Sequence, residues 1–224
     1  MLNANSSVFD ITDYYDVKWL SNWEHIAEIC GVANNQDLSK ICNILRQSKN
    51  VLEIGAGSGR VIDYMLEHSL ADKITAIEKS HIITSYLQDK YHKTKRVEII
   101  EEDILNPLLS CPNSYHFNTN KYDLILCMWG FITSFSNAEL QQLFKNIFYV
   151  LDDGGKFILE QPICQKHTDI LENIFKLATG ETIKVSLFNK DQLNDMLSLF
   201  NKSIVKIVEY CGSAANKRII YIIQ

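Results

Sequence analysis

Proline and glycine are scarce, with 3 and 9 residues in a chain of 224. No stretch is rich enough in either to read as a linker or a disordered tail, so the chain is expected to fold throughout. Long apolar runs are missing too. There is no run of about 18 uncharged apolar residues and no basic start followed by an apolar segment, so neither a membrane span nor a signal peptide is indicated. The cytoplasm is the expected compartment. The six cysteines (Cys30, Cys42, Cys111, Cys127, Cys164, Cys211) lie far apart without a C-x-x-C pair. The six histidines (His25, His68, His81, His92, His116, His167) are as scattered and form no H-E-x-x-H arrangement. Reduced thiols and no metal follow from these spacings.

An excess of basic charge is also lacking. Lys and Arg count 22 against 27 Asp and Glu, a net charge of -5. A surface that neutralises phosphates needs clustered Lys and Arg, which disfavours a nucleic-acid role. Lys90, Lys93, Lys95 and Arg96 form a local basic run, but Glu98, Glu101 and Glu102 follow at once, and the segment reads as a solvated helix end.

The length suits one domain, residues 1–224. Tyr15, Trp19, Trp23, Ile26 and Cys30, then Leu38, Ile41 and Leu45, recur at helical spacing and predict an N-terminal helical cap over residues 1–49. The core, 50–224, alternates strands and helices. Strands are predicted at Asn50–Ile54, Ile74–Ile77, Val97–Ile100, Tyr122–Met128 and from Phe157. Helices follow the first two strands, and Ser136 with Glu139 forms a capping box that opens a helix running to Asp153-Gly154-Gly155. Helical stretches are expected around Ile170–Leu177 and Asp191–Phe200, before a hairpin of Ile204–Tyr210 and Arg218–Ile223. The predicted architecture is α/β: a doubly wound, mostly parallel seven-stranded sheet, helices on both faces, and one antiparallel hairpin strand at an edge.

The densest chemistry lies at Val51-Leu52-Glu53-Ile54-Gly55-Ala56-Gly57-Ser58-Gly59-Arg60. Alternating glycines after a buried strand let the backbone bend sharply beside a ligand, and the next helix offers free N–H groups. A dinucleotide fingerprint is excluded because Arg60 stands where its third glycine belongs, and a phosphate-binding Gly-Lys-Ser/Thr is missing. Glu53, a carboxylate just ahead of the glycines, would repel a pyrophosphate and suits a ligand with an ammonium group.

This segment resembles the first motif of the class I S-adenosylmethionine (SAM)-dependent methyltransferases. The resemblance implies that Gly55 and Gly57 pass under the amino-acid part of SAM, with Glu53 near its amino group, and that Ala56, Gly59 and Lys79 also belong to the cofactor site. It implies that Glu78, closing the second strand beside Lys79, takes both ribose hydroxyls. Asp103 and Ile104 would meet the adenine, and Cys127, Met128 and Trp129 would border the methyl donor. SAM would be the cofactor and S-adenosylhomocysteine the product.

Trp129 and Phe131 are candidates for the substrate pocket, as are Tyr14 and Tyr15 in the cap, whose aromatic faces can stabilise a cation. Trp23 in the same cap reads as helix packing, and Asp123 as a structural acid at a strand start. Glu160, His167, Tyr14 and Tyr15 are the candidate bases, none of them singled out, since methyl transfer depends mainly on positioning and desolvation. The exit Cys127-Met128-Trp129-Gly130 lacks the Asn/Asp-Pro-Pro-Tyr/Phe element of enzymes that methylate amide or exocyclic nitrogens. A small-molecule acceptor is expected, with a protein or tRNA acceptor, or a non-catalytic SAM-binding or protein-interaction module, as alternatives.

Overall fold

The structure, a computed structural model, describes residues 20, 23–30, 32–107, 121–163, 171–176, 182–212 and 217–224. Two helices, α1 (Trp23–Cys30) and α2 (Gln36–Gln47), precede the first strand. The chain then runs β1 (Asn50–Ile54), α3 (Arg60–Glu67), β2 (Lys73–Glu78), α4 (His81–Tyr91), β3 (Val97–Glu101) and β4 (Tyr122–Cys127). After a 3-10 turn (Phe131–Ser134) come α5 (Asn137–Val150), β5 (Leu151–Pro162), β6 (Leu171–Lys176), β7 (Thr182–Leu187), α6 (Lys190–Ser198), β8 (Ile204–Cys211) and β9 (Lys217–Ile223).

One seven-stranded sheet runs in the order β3-β2-β1-β4-β5-β9-β8. The first five are joined by parallel pairs, and β9 lies antiparallel to both neighbours. The central strands are apolar almost throughout because both faces are covered: Leu124, Ile125, Leu126 and Cys127 are fully buried. On one face Leu140, Phe144 and Ile147 of α5 and Leu193 of α6 pack on Leu52, Ile125 and Phe157. On the other, Leu38 and Ile41 of α2, Ile62 and Met65 of α3 and Leu87 of α4 cover Val51, Leu124 and Ile158. Asp123 acts as read, accepting hydrogen bonds from the Lys49 N–H (2.8 Å) and the Asn50 N–H (3.1 Å) and so seating β1 against β4. Ser136 and Glu139 form both halves of the capping box.

Three expectations change. The stretch expected to be helical around Ile170–Leu177 contains β6, which pairs antiparallel with β7 in a separate two-stranded sheet. A partner strand decides there what local periodicity suggested otherwise. The antiparallel hairpin strand is not the edge: β9 enters between β5 and β8, and β8 forms the edge. Helix α5 stops at Val150, and the Asp152–Gly155 segment belongs to β5, as an irregularity opposite Tyr122 and Leu124.

The chain turns back at β1. From there β2 and β3 build outward on one side, and β4 and β5 on the other, so the carboxyl ends of β1 and β4 diverge around a crevice. Ligands of open α/β sheets bind at such a reversal.

Candidate functional site

The crevice holds a cavity of about 360 Å³ over the carboxyl ends of β1, β2 and β4. Its floor is the turn that leaves β1. Gly55, Gly57 and Gly59 have φ of +72°, +53° and +82°, a left-handed path that glycine takes without steric cost. The Gly55 N–H donates to the Ile77 carbonyl at 2.9 Å, which pins the turn to β2. A Cβ on Gly55 would stand 2.3 Å from Cδ2 of Phe131, so the ring lies directly on the turn. From the far side, α4 straps the loop down. Lys90 Nζ donates to the Ser58 carbonyl (3.0 Å) and to Asp63 (2.7 Å), and the Tyr91 hydroxyl donates to the Gly59 carbonyl (3.0 Å). The basic run read as a solvated helix end is thus partly engaged inside the molecule, and Arg96 also donates to the Ala71 and Leu66 carbonyls.

Glu53 faces this cavity from β1, 3% exposed. Its Oε2 has no hydrogen-bond partner among the described residues. Burial drives its carboxyl well above the usual 4.5, against a lowering influence from Arg60. A buried carboxylate oxygen with an open lone pair, beside a glycine turn, is a seat for a cationic donor such as an ammonium group.

Glu78 ends β2 next to the turn. Its Oε2 accepts from the Gly57 N–H at 3.1 Å and its Oε1 from the Ser80 N–H at 3.0 Å. Burial raises its pKa while those backbone donors lower it. Each oxygen keeps a lone pair for a further donor, so the pair fits a diol. Lys79 beside it reaches Asp103 at 3.0 Å. Asp103 also accepts from the Leu105 N–H at 2.9 Å, a local turn that directs the loop after β3. Asn146 of α5, itself buried, donates to the Ile104 carbonyl (2.6 Å) and the Asn106 carbonyl (3.0 Å) and holds that loop over the cavity.

At the exit of β4, Met128, Trp129 and Phe131 line the opening. Trp129 has φ of +59°, costly for a bulky residue, and Gly130 follows at +71°. The strained pair is held because the Gly130 N–H donates to the Glu160 carbonyl (3.0 Å) while the Thr133 hydroxyl donates to the Gly130 carbonyl (2.6 Å). The turn sets the Trp129 ring edge-on to Trp23, with centroids 4.4 Å apart.

The structure therefore brings together Glu53, Gly55, Ala56, Gly57, Glu78, Lys79, Asp103, Ile104, Met128, Trp129 and Phe131 around one cavity. Two predicted residues stand back from its wall. Gly59 turns toward Tyr91, whose hydroxyl would lie 2.3 Å from an added Cβ. Cys127 is fully buried, and desolvation pushes its thiol up, so it supports the wall from behind. Tyr14, Tyr15 and His167 lie outside the described residues. Glu160 is unsuited as a base: it is fully buried, held by Arg218 Nη2 at 3.0 Å and by the Tyr210 hydroxyl at 2.8 Å.

Sequence reasoning missed Arg60, Ser58, Ser80, Phe135 and Glu139, and took Trp23 for packing and Glu102 for a solvated acid; all seven line the cavity. The capping box at Ser136 and Glu139 carried a usable signal, since a helix opening just past β4 brings its first turn to the same crevice. Among the described residues, no group of three or more His, Cys, Asp and Glu could hold a metal ion, and no helix is long and apolar enough to cross a membrane.

Residues 51–155 match the family model of the methyltransferase domain. Among curated proteins, the ribosomal RNA small subunit methyltransferase A of Coxiella burnetii strains RSA 331 and CbuG_Q212 is 27% identical over 134 residues, 58% of this chain and 47% of the relative. The chain thus spans about half the length of the curated relatives it matches. Among solved structures, the glycopeptide N-methyltransferase MtfA complexed with SAM superposes with a TM-score of 0.64 at 16% identity, covering 84% of this chain and 92% of that one. A DhpI complex with S-adenosylhomocysteine gives 0.63 at 15% identity over 95% and 94%. A SAM-dependent methyltransferase from Clostridium acetobutylicum ATCC 824 gives 0.66 at 15% identity over 91% and 98%. These likenesses show the fold, that of SAM-dependent methyltransferases, and residues 51–155 carry the match to the methyltransferase domain.

Proposed function

We propose that this protein binds SAM in the cavity and transfers its methyl group to a small-molecule acceptor. The observation that carries the reading is Glu53, a buried carboxylate with an unpartnered oxygen, facing the cavity beside a glycine turn whose other neighbour is the Glu78 carboxylate. Glu53 would take the ammonium group, with Gly55, Ala56 and Gly57 passing under the amino-acid end. Glu78 would accept from both ribose hydroxyls. Asp103 and Lys79 would border the adenine, and Ile104, 5% exposed, would pack on it.

Bound SAM would supply a methyl group activated by its sulfonium. The chain's part is then to orient and to exclude water. The Trp23 and Trp129 rings with Met128 and Phe131 form a dry mouth in which an acceptor atom can be lined up.

A small acceptor is favoured because the wall offers few cations for a phosphate: Arg60 is held by buried Asp37, and Lys79, the other basic side chain in the wall, is paired with Asp103. The second reading, an RNA acceptor, rests on the ribosomal RNA named for the curated relatives.

Isothermal titration with S-adenosylhomocysteine, with NAD as control, tests the cofactor. Micromolar binding of the first alone is expected, and its loss in Gly57→Arg and strong weakening in Glu78→Ala. Unchanged affinity in both folded variants would refute the site. With the cofactor established, methylation of small amines and alcohols but not of RNA from labelled SAM is the expected acceptor result; labelled RNA would overturn it.

A further inference from the structure

Three acids, Asp37, Glu53 and Glu160, act on one guanidinium in the cavity wall, and among them only Asp37 is bonded to it. Arg60, the first residue of α3, lies in the cavity wall with Glu53. Its Nη1 donates to Asp37 Oδ1 at 2.8 Å and to Asn35 Oδ1 at 2.9 Å, and its Nη2 donates to Asp37 Oδ2 at 2.6 Å. Asp37 is fully buried in the first turn of α2. This two-pronged pairing is the strongest and most directional geometry a guanidinium can adopt toward a carboxylate. It ties the guanidinium to Asp37 and leaves Glu53 Oε2 without a hydrogen-bond partner at the ligand's side of the wall.

The surrounding charges make the arrangement specific. The groups acting on the Glu53 carboxyl are Arg60, Glu78, Asp63 and Lys90. Lys90 is held by Asp63 and the Ser58 carbonyl, and Glu78 and Asp63 are acids, so Arg60 is the cation that could reach over and close Glu53. Glu160, the other acid that acts on Arg60, already has Arg218 and Tyr210. A buried guanidinium deprived of Asp37 must find another carboxylate or bear an uncompensated charge, and Glu53 is the one with an open oxygen.

We propose that Asp37 is a positioning residue: by holding Arg60 on the α2 side, it keeps the Glu53 carboxylate open to the ligand's ammonium group. The N-terminal cap thereby sets the affinity of the pocket for the amino-acid end of SAM, not for its nucleoside. The inference rests on the SAM reading above.

The test compares two ligands by calorimetry: S-adenosylhomocysteine, and 5′-methylthioadenosine, which keeps the nucleoside and the thioether but has no ammonium or carboxylate. In Asp37→Asn, the first is expected to weaken about 10- to 100-fold, the worth of a charge-assisted hydrogen bond, while the second is unchanged. The double variant Asp37→Asn/Arg60→Gln, which removes the competing cation, is expected to regain most of the lost affinity. Asn35→Ala cuts the third tether at a partly buried position; it keeps the question open to test even if Asp37→Asn does not fold, and should show the same selective loss at about threefold. Equal loss for both ligands, no loss for either, or a double variant no better than the single would overturn the proposal. If the wild-type protein binds neither ligand, the cofactor reading falls and takes this one with it; if it binds both and the variants lose them equally, only the positioning role falls.

Discussion

Alanine at Gly55 and alanine at Gly154 should differ sharply, although both glycines have nearly the same backbone angle, φ of +72° and +79°. A Cβ in the left-handed region costs about 1–2 kcal/mol wherever it is placed. At Gly154 nothing lies within 4 Å of the added atom, so the backbone cost stands alone. At Gly55 the new methyl would meet Phe131 Cδ2 at 2.3 Å and Cε2 at 2.5 Å, inside the distance that real contacts reach. Forcing that ring aside in a packed wall adds about 1–3 kcal/mol. For a chain of this size each kcal/mol moves the melting temperature by about 2–4 °C. Gly154→Ala should therefore melt only a few degrees lower and bind S-adenosylhomocysteine normally. Gly55→Ala should melt about twice as far below the wild type, and bind weakly because the displaced ring enters the cavity. Thermal denaturation and calorimetry on both variants decide it, and Phe131→Leu added to Gly55→Ala should recover the steric part. Equal melting shifts, or a Gly55→Ala protein with full affinity, would refute the reasoning.

Three further outcomes follow from the site and the buried charges. Because burial raises the Glu53 carboxyl, the folded state holds a proton that the unfolded chain gives up near 4.5. Stability of the ligand-free protein should then fall as pH rises from 4.5 toward the raised value. Glu53→Gln should reduce that slope in pH-dependent denaturation, leaving the part that comes from Glu78, and lose affinity for S-adenosylhomocysteine, whose wild-type binding should strengthen over the same rise in pH. Arg218→Met leaves Glu160 buried and without its cation, and should lower the urea midpoint by the equivalent of about 3–5 kcal/mol. Trp23 and Trp129 both face the cavity, so ligand binding should change tryptophan emission, and a double replacement by Phe should remove most of that change.

What the sequence made legible was what depends on near neighbours. The glycine turn, Glu53 ahead of it and Glu78 at the end of the next strand could be read because strand-turn-helix geometry is written in consecutive residues. The Ser136 cap and the buried β4 strand were equally local. Pairing across distance was not legible. Leu171–Lys176 has apolar residues at helical spacing, and its strand character comes from Thr182–Leu187 beside it. The alternation of Ile183, Val185 and Leu187 was a signal for that partner. Nothing near Arg60 announces Asp37, 23 positions upstream. Nor does Trp129 in a left-handed turn betray itself, since that angle is imposed by the Glu160 backbone and Thr133.

The strand order has a bearing on synthesis. A nascent chain that has produced everything through β8 still has no place to put that strand, because β9 must first be laid along β5. Until then β5 presents an open edge, and Glu160 waits for the guanidinium that arrives 58 residues later. The β8–β9 end of the sheet therefore closes last, and ribosome-stalled chains ending before Lys217 should be more protease-sensitive and aggregation-prone than the chain that carries β9.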